Sequence, residues 1–158
     1  MKTSGILAGL ALATVFAAQP AMAQLANVPF TGVVTSTCIL TVATPGILAP
    51  DAGFTSLAST NPGGLAGNVS VLSTGGAFSV SADAPTAFTS APAGGDTGVD
   101  FLARYQGSGA TTIGDTAGTT PTPVNAGLTL LSVNLLAEKS SGTFPAGAYL
   151  TEVVVRCE

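Results

Sequence analysis

Histidine and tryptophan are both absent from this sequence, and charged side chains are few. Only 8% of the 158 residues are charged, with eight acidic and four basic side chains and a net charge of −4. Without histidine, the commonest general base and metal ligand is missing, and a Ser-His-Asp triad is impossible. Nucleic acids and anionic lipid surfaces are bound by basic patches, which so few basic residues cannot supply. The sequence therefore predicts no enzyme, no cofactor and no nucleic-acid partner.

Three aspartates are the remaining candidates for metal or acid–base chemistry. Asp96, Asp100 and Asp115 flank Gly-rich stretches and could form a carboxylate cluster. A calcium site or a pair of glycosidase carboxylates would need such oxygens. However, the spacing matches no calcium-binding loop, and isolated acids in loops are usually solvated. Arg104, next to Tyr105, could contact a ligand, but an outward-facing strand charge explains it as well.

Long apolar runs are missing too, except for one at the beginning of the chain. Residues 6–18 are apolar and follow a short segment that carries Lys2. A proline ends the run, and Ala21-Met22-Ala23 fits the small-x-small rule for signal cleavage. The run is shorter than the 20 or so residues that span a bilayer. We therefore predict a signal peptide over 1–23 and an exported domain over 24–158, without a membrane span, located between the periplasm and the cell surface or outside the cell.

The chain has only two cysteines, Cys38 and Cys157. In an exported chain two cysteines most simply form one disulfide. The alternatives are an intermolecular disulfide and a metal site, although two cysteines without histidine bind metal poorly. The predicted bond closes a loop of 157 − 38 = 119 residues, for which the chain-entropy model gives about 4–5 kcal/mol. We expect it to tie the first strand of the domain to the last.

The exported part is rich in Thr, Ser, Gly, Val, Ala and Leu, a mixture typical of strands and tight turns. It shows no sustained helical periodicity. Alternating or β-favouring residues predict strands over 28–34, 38–42, 68–73, 77–82, 99–106, 128–136 and 149–157. About seven short strands separated by turn signals indicate an all-β fold, an antiparallel β-sandwich.

Turn and loop signals add three local predictions. Thr74-Gly75-Gly76 predicts a tight hairpin, because glycine readily adopts the positive φ that such turns need. The apolar phase slips at Leu130-Leu131, which indicates a bulge. Residues 83–98 and 107–126 read as long loops, and loops of this length are usually functional or mobile.

Three stretches resemble parts of known exported families. Phe30-x-Gly32-x-Val34-x-x-x-Cys38 resembles the opening strand of chaperone–usher pilins. The stretch from Phe101 to Tyr105, followed by Gly107-x-Gly109-Ala110, is similar to a strand and loop near the end of such fimbrial subunits. Pro145-Ala-Gly147-x-Tyr149 and the valines after it are similar to both pilins and spore-coat-protein-U-like secreted domains.

The resemblance implies an immunoglobulin-like sandwich that, in pilins, is completed by a strand from the next subunit. It implies subunits of the same or a related type as partners, with a periplasmic chaperone and an outer-membrane usher. The terminal strands would carry assembly through Phe30, Gly32, Val34, Tyr149, Val153 and Val155. Two features depart from pilins. Their first-strand cysteine usually bonds to one soon after it, and here only residues 24–29 precede Phe30, which is short for a donated strand.

Two functions therefore follow from the sequence. The first is a structural subunit of a bacterial surface appendage or coat, similar to a fimbria or pilus, that assembles through strand edges. The alternative is a self-complete secreted adhesin or binding module that uses the predicted loops 83–98 and 107–126.

Overall fold

The computed structural model describes residues 24–158, and the predicted signal peptide lies outside the described residues. Val33–Glu158 form one compact unit, while residues 24–32 belong to a separate unit and contain no helix or strand. The ten strands in the described chain are β1 Thr37–Thr44, β2 Ala49–Pro50, β3 Ser56–Ala58, β4 Gly67–Thr74, β5 Phe78–Asp83, β6 Val99–Gly109, β7 Ile113–Ala117, β8 Thr122–Val124, β9 Gly127–Lys139 and β10 Val154–Cys157. Across residues 24–158, no helix has the length and apolar character needed to cross a membrane.

The strands form two antiparallel sheets, and β9 is the centre of the larger one. One edge of β9 pairs with β6, which pairs in turn with β7. Its other edge is shared by β4 and β3, with β1 beyond β4 and β2 beyond β3. The smaller sheet has the order β10-β5-β8. The prediction of an all-β antiparallel sandwich is confirmed, with ten strands in the described residues instead of about seven.

The core lies between the sheets, because alternate side chains of each strand point inward. Its buried members from both sheets are Val69, Val71, Val80, Ala82, Tyr105, Ile113, Val124, Leu131 and Val133. The Tyr105 hydroxyl lies within hydrogen-bonding distance of the Val80 carbonyl at 2.9 Å and the Thr122 hydroxyl at 2.6 Å. These contacts satisfy the one polar atom of the largest fully buried side chain.

A second cluster of aromatic side chains fills the other end of the core. The Phe88 ring packs edge-on against Phe101, with centroids 4.9 Å apart, and against Tyr149 at 5.0 Å. Phe144 packs against both Phe88 and Tyr149. Edge-to-face packing of this kind adds to the free energy gained from burial. It anchors residues 144–149, which lead toward β10 without forming a strand.

The prediction of the first and last strands was wrong in their bounds. The first strand begins at Thr37 and not at Val28, and residues 24–36 pair with no strand in the described chain. Proline at position 29 removes one of the N–H groups that a sheet would use. The last strand begins at Val154, because the chain before it is held by an isolated bridge between Leu150 and Ser90.

The predicted hairpin around Gly75 and Gly76 is also wrong, although its two strands exist. Both glycines have positive φ, 60° and 82°, as predicted for a tight turn. However, β4 already pairs with β1 on one edge and with β9 on the other. The turn therefore carries the chain from the larger sheet into the smaller one, and β5 pairs with β10 and β8 instead.

Two further predictions need correction. Residues 107–126 are not one long loop, since they contain the end of β6 together with β7 and β8. The bulge at Leu130-Leu131 is absent, and β9 pairs with β6 without interruption from Thr129 to Lys139. The apolar phase slips there because Leu128 and Leu130 lie on the exposed outer face, 52% and 49% accessible.

Candidate functional site

An apolar groove runs along one side of the sandwich, between β1 and the segment that leads into β10. Its volume is about 1230 Å³, larger than most small-molecule pockets. One wall is formed by residues 42–48 and the other by residues 143–153. Within the described chain, β1 pairs only with β4 and β10 only with β5, so each of these strands has a free edge.

The floor of the groove consists of core side chains from the inner face of the larger sheet. Val69 of β4 and Val133 and Leu135 of β9 all line it, and each is 8% exposed. Leu57 of β3 lines it as well and is 7% exposed. The opening therefore reaches the hydrophobic core, and an apolar chain lying in it would extend that core.

Both walls have a fixed backbone and carry exposed apolar side chains. Ile47 exchanges two backbone hydrogen bonds with Leu65, at 2.8 and 2.9 Å, and its side chain is 49% exposed. On the opposite wall the Leu150 N–H donates to the Ser90 carbonyl at 2.9 Å, and the Leu150 side chain is 56% exposed. Glu152 is the one charged residue among the lining residues in the described chain. The groove thus suits an uncharged, apolar occupant.

A short turn places an exposed aromatic ring at the groove. Phe54 lines the groove and adopts a φ of 53°, which is uncommon for a residue with a side chain. The Asp51 carboxylate accepts backbone hydrogen bonds from Thr55 and Ser56, both at 2.8 Å. The bond from Ser56 is the main reason that the pKa of Asp51 lies below its ordinary value of 3.8. This carboxylate therefore holds the turn that presents Phe54.

The predicted disulfide between Cys38 and Cys157 is confirmed. It joins β1 to β10, the strands whose free edges flank the groove, with a Cα–Cα distance of 6.3 Å. Val42 and Val155 line the groove, whereas the two cysteines do not. The disulfide therefore lies at one end of the groove, and residues 44–48 and 143–147 lie toward the other end.

The residues predicted to carry assembly fall into two groups. Tyr149, Val153 and Val155 all line the groove. The Tyr149 hydroxyl donates to the Pro145 carbonyl at 2.7 Å, and burial raises the pKa of this phenol. The other group, Phe30, Gly32 and Val34, lies in residues 24–36, ahead of β1.

Residues 24–36, hereafter the N-terminal extension, are uncharged and exposed and include several apolar side chains. Phe30 is 93% exposed and Val34 is 88% exposed. The extension contains no charged residue, and in an extended chain every second side chain points to the same face. That face carries Ala26, Val28, Phe30, Gly32 and Val34.

The aspartates considered for metal or acid–base chemistry are not brought together. Among residues 24–158, no three His, Cys, Asp or Glu side chains are grouped so as to hold a metal ion. Asp96 accepts the Phe88 N–H at 2.9 Å, and Asp100 lies opposite Glu138 on β9. Asp115 pairs with Arg104 at 2.6 Å, and the hydrogen bond from this guanidinium lowers the pKa of the carboxyl. Arg104 is thus occupied by a structural contact.

Sequence reasoning found only one wall of the groove. Tyr149, Val153 and Val155, which the resemblance implied as assembly residues, lie in the C-terminal wall. The opposite wall, residues 42–48, was missed because a proline and a glycine interrupt its pattern. The sequence feature that could have indicated this wall is the apolar pair Ile47 and Leu48, shortly after the end of β1.

No protein-family model matches this chain, and no curated protein or solved structure is detectably similar to it. The likeness to pilins and spore-coat-protein-U-like domains therefore stays a prediction from short motifs.

Proposed function

We propose that this protein is a structural subunit of a bacterial surface appendage or coat, in which the N-terminal extension of one copy fills the groove of the next. One observation carries the proposal. The same chain has an apolar groove that opens onto its core and an exposed, uncharged extension with alternating apolar residues. The groove offers free strand edges and apolar side chains, and the extension offers an unpaired backbone with apolar side chains on one face. Recognition by β-strand addition combines these two features.

The extension is long enough for this task. The sequence places only residues 24–29 ahead of Phe30, which is short for a donated strand, whereas β1 begins at Thr37 and leaves the 13 residues 24–36 ahead of it. An extended chain rises about 3.3 Å per residue, so the extension reaches about 43 Å. The wall from Val42 to Leu48 spans six residue steps and thus at most about 20 Å.

Side-chain burial and backbone pairing would both favour this association. Burying an exposed Val or Phe side chain contributes about 1.5–3 kcal/mol, and the inward face offers Val28, Phe30 and Val34. The backbone of the extension would pair with the free edges of β1 and β10. Both partners are almost uncharged along this contact, so little charge is desolvated.

The geometry favours a filament over a closed dimer. The extension joins β1 beside the disulfide, whereas the groove extends away from the disulfide toward residues 44–48 and 143–147. The donating and accepting surfaces are therefore different parts of the molecule. Such a heterologous interface generates an open chain of subunits unless its rotation happens to close a ring.

An unfilled groove would also need protection before assembly. Free strand edges beside exposed apolar side chains promote unwanted association. We propose that a periplasmic chaperone covers the groove after export and that an outer-membrane usher receives the subunit. The predicted signal peptide and the disulfide support this route, since disulfides persist in oxidising compartments.

The test is to compare Phe30→Asp with Leu102→Asp, a matched change at an exposed leucine on the outer face of β6. Each chain, with its signal, would be exported to a bacterial periplasm and examined by size-exclusion chromatography and negative-stain microscopy. We expect multimers or fibres from the unmodified chain and from Leu102→Asp, and monomers from Phe30→Asp. Multimers of Phe30→Asp equal in size and yield to those of the unmodified chain would refute the proposal, as would an unmodified chain that stays monomeric.

A further inference from the structure

We infer that the Cys38–Cys157 disulfide is an end stop for the donated strand, fixing its direction and its register in the groove. This inference rests on the proposed function and adds to it a specificity element within the accepting subunit. The occupant is the N-terminal extension of a second copy.

The spacing at the disulfide excludes a strand. Neighbouring strands in a sheet lie about 4.8 Å apart, so a strand inserted between β1 and β10 needs their backbones about 9.6 Å apart. At the disulfide the two Cα atoms are only 6.3 Å apart and are covalently linked. Val42, four residues beyond Cys38, and Val155, two residues before Cys157, already line the groove. The groove therefore closes between these valines and the disulfide.

The closed end also sets the direction of the donated strand. The extension continues into β1 of its own subunit, so its C-terminal end must leave the groove where a chain can pass. Since the disulfide closes one end, we assign the exit to the other end, near residues 44–48, and the N-terminal end of the extension then points toward the disulfide. Since β1 runs away from Cys38 and β10 runs toward Cys157, the donated strand lies parallel to β1 and antiparallel to β10.

The register follows from the same geometry. A slip by one residue would turn the apolar face of the extension outward, whereas a slip by two residues preserves the face. Movement by two residues toward the disulfide is blocked by the bridge. Movement by two residues in the other direction withdraws apolar side chains from the groove. Each inward residue of the extension is therefore assigned to one position along the groove.

Two double substitutions, each of which exchanges two residues of the extension, test the stop without changing the sandwich. F30G/G32F moves the ring two residues toward the open end, so that only a deeper insertion would restore its position. V28F/F30V moves the ring toward the disulfide, and withdrawal would restore its position. Both exchanges keep the composition and the face. Each would be made with the disulfide intact and in the C38S/C157S background, and the assembled fraction measured by size-exclusion chromatography.

With the disulfide intact we expect F30G/G32F to weaken association at least about tenfold, the amount that corresponds to losing one buried aromatic contact. In the C38S/C157S background, the association of F30G/G32F should be within about twofold of the association of C38S/C157S alone, because deeper insertion is then possible. The association of V28F/F30V should be weakened equally in both backgrounds. Normal assembly of F30G/G32F with the disulfide intact overturns the inference, and so does a defect that persists without the disulfide.

A second measurement does not depend on whether C38S/C157S folds. Hydrogen exchange of the extension amides in the assembled, unmodified chain should show a single protection pattern, whereas two or more patterns would mean that the register is not fixed.

Failure of the proposed function looks different. In that case Phe30→Asp assembles normally, whereas failure of the stop alone leaves Phe30→Asp monomeric and F30G/G32F assembled.

Discussion

Ser59 supplies hydrogen bonds to β9 at the place where one edge of this strand pairs with neither β4 nor β3. On one edge of β9, β4 pairs as far as Val133 and β3 begins to pair at Leu136. Between them, the Leu135 N–H donates to the Ser59 hydroxyl oxygen at 3.1 Å, and the Ser59 N–H donates to the Leu135 carbonyl at 3.0 Å. The Ser59 hydroxyl also donates to the Asn134 side chain at 2.9 Å.

Ser59→Ala should therefore lower the free energy of unfolding by about 1–3 kcal/mol, since it leaves a buried N–H without its acceptor. Ser73→Ala is the matched control. The Ser73 side chain is 2% exposed, and its hydroxyl makes no hydrogen bond within the described chain. Its replacement should change stability by no more than about 0.5 kcal/mol or raise it. Urea denaturation measures both, and equal losses would contradict this account.

Gly118 permits a close approach between the two sheets. Its N–H donates to the Ala103 carbonyl of β6 at 2.8 Å, and its carbonyl accepts the Ala82 N–H of β5 at 2.9 Å. A methyl group at this position would overlap the Ala82 carbonyl oxygen. The sheets are thus joined here by main-chain bonds that a side chain would break.

Gly118→Ala should lower the free energy of unfolding by about 1–3 kcal/mol or more, because the overlap is with backbone. Gly114→Ala in β7 is the control, since a methyl group there would meet no atom within 4 Å. It should leave stability unchanged or raise it by up to about 1 kcal/mol. Thermal unfolding of the two variants side by side distinguishes them, and a stable Gly118→Ala chain would show that the sheets can separate at this point.

At the scale of the element, hydrophobic periodicity predicted which side chains of a strand lie inside, but it did not predict which strands pair with each other. The alternation over 99–106 predicts two faces, and in β6 Ala103 and Tyr105 lie inside and Asp100 outside, because a pleated strand has only two faces. The strands on either side of Gly75 and Gly76 were found, but they belong to different sheets. Local sequence favours a turn, whereas pairing depends on which edges the rest of the chain has already occupied.

The turn of residues 51–56 has a pH dependence of its own. The pKa of Asp51 is lowered in the fold, so its contribution to stability is complete above the ordinary value of 3.8 and is lost as the pH falls through the lowered pKa. Asp51→Asn removes the charge that strengthens the bonds to Ser56 and Thr55. The difference in unfolding free energy between the unmodified chain and Asp51→Asn should be largest near neutral pH and shrink in acid. A difference that grows in acid would contradict this assignment.

At the scale of the whole molecule, the sequence predicted the disulfide but not the groove. Two cysteines in an exported chain leave one simple pairing, and its ends lie 119 residues apart. The groove instead forms where β1 and the chain before β10 approach each other without pairing. No local pattern encodes an unpaired edge, because it depends on what every other strand does. The start of β1 depends on the same tertiary pairing, and it leaves residues 24–36 ahead of the first strand.

The central claim is that one copy donates the extension and another accepts it, so the most direct measurement separates these roles. A Phe30→Asp chain keeps its groove but has a defective donor. A chain with Ile47→Asp and Leu150→Asp, both exposed on the groove walls, keeps its donor but has a defective groove. Light scattering on each chain alone and on an equimolar mixture gives the answer. We predict monomers of each chain alone and a one-to-one heterodimer in the mixture. Two monomers that stay apart on mixing would contradict the account.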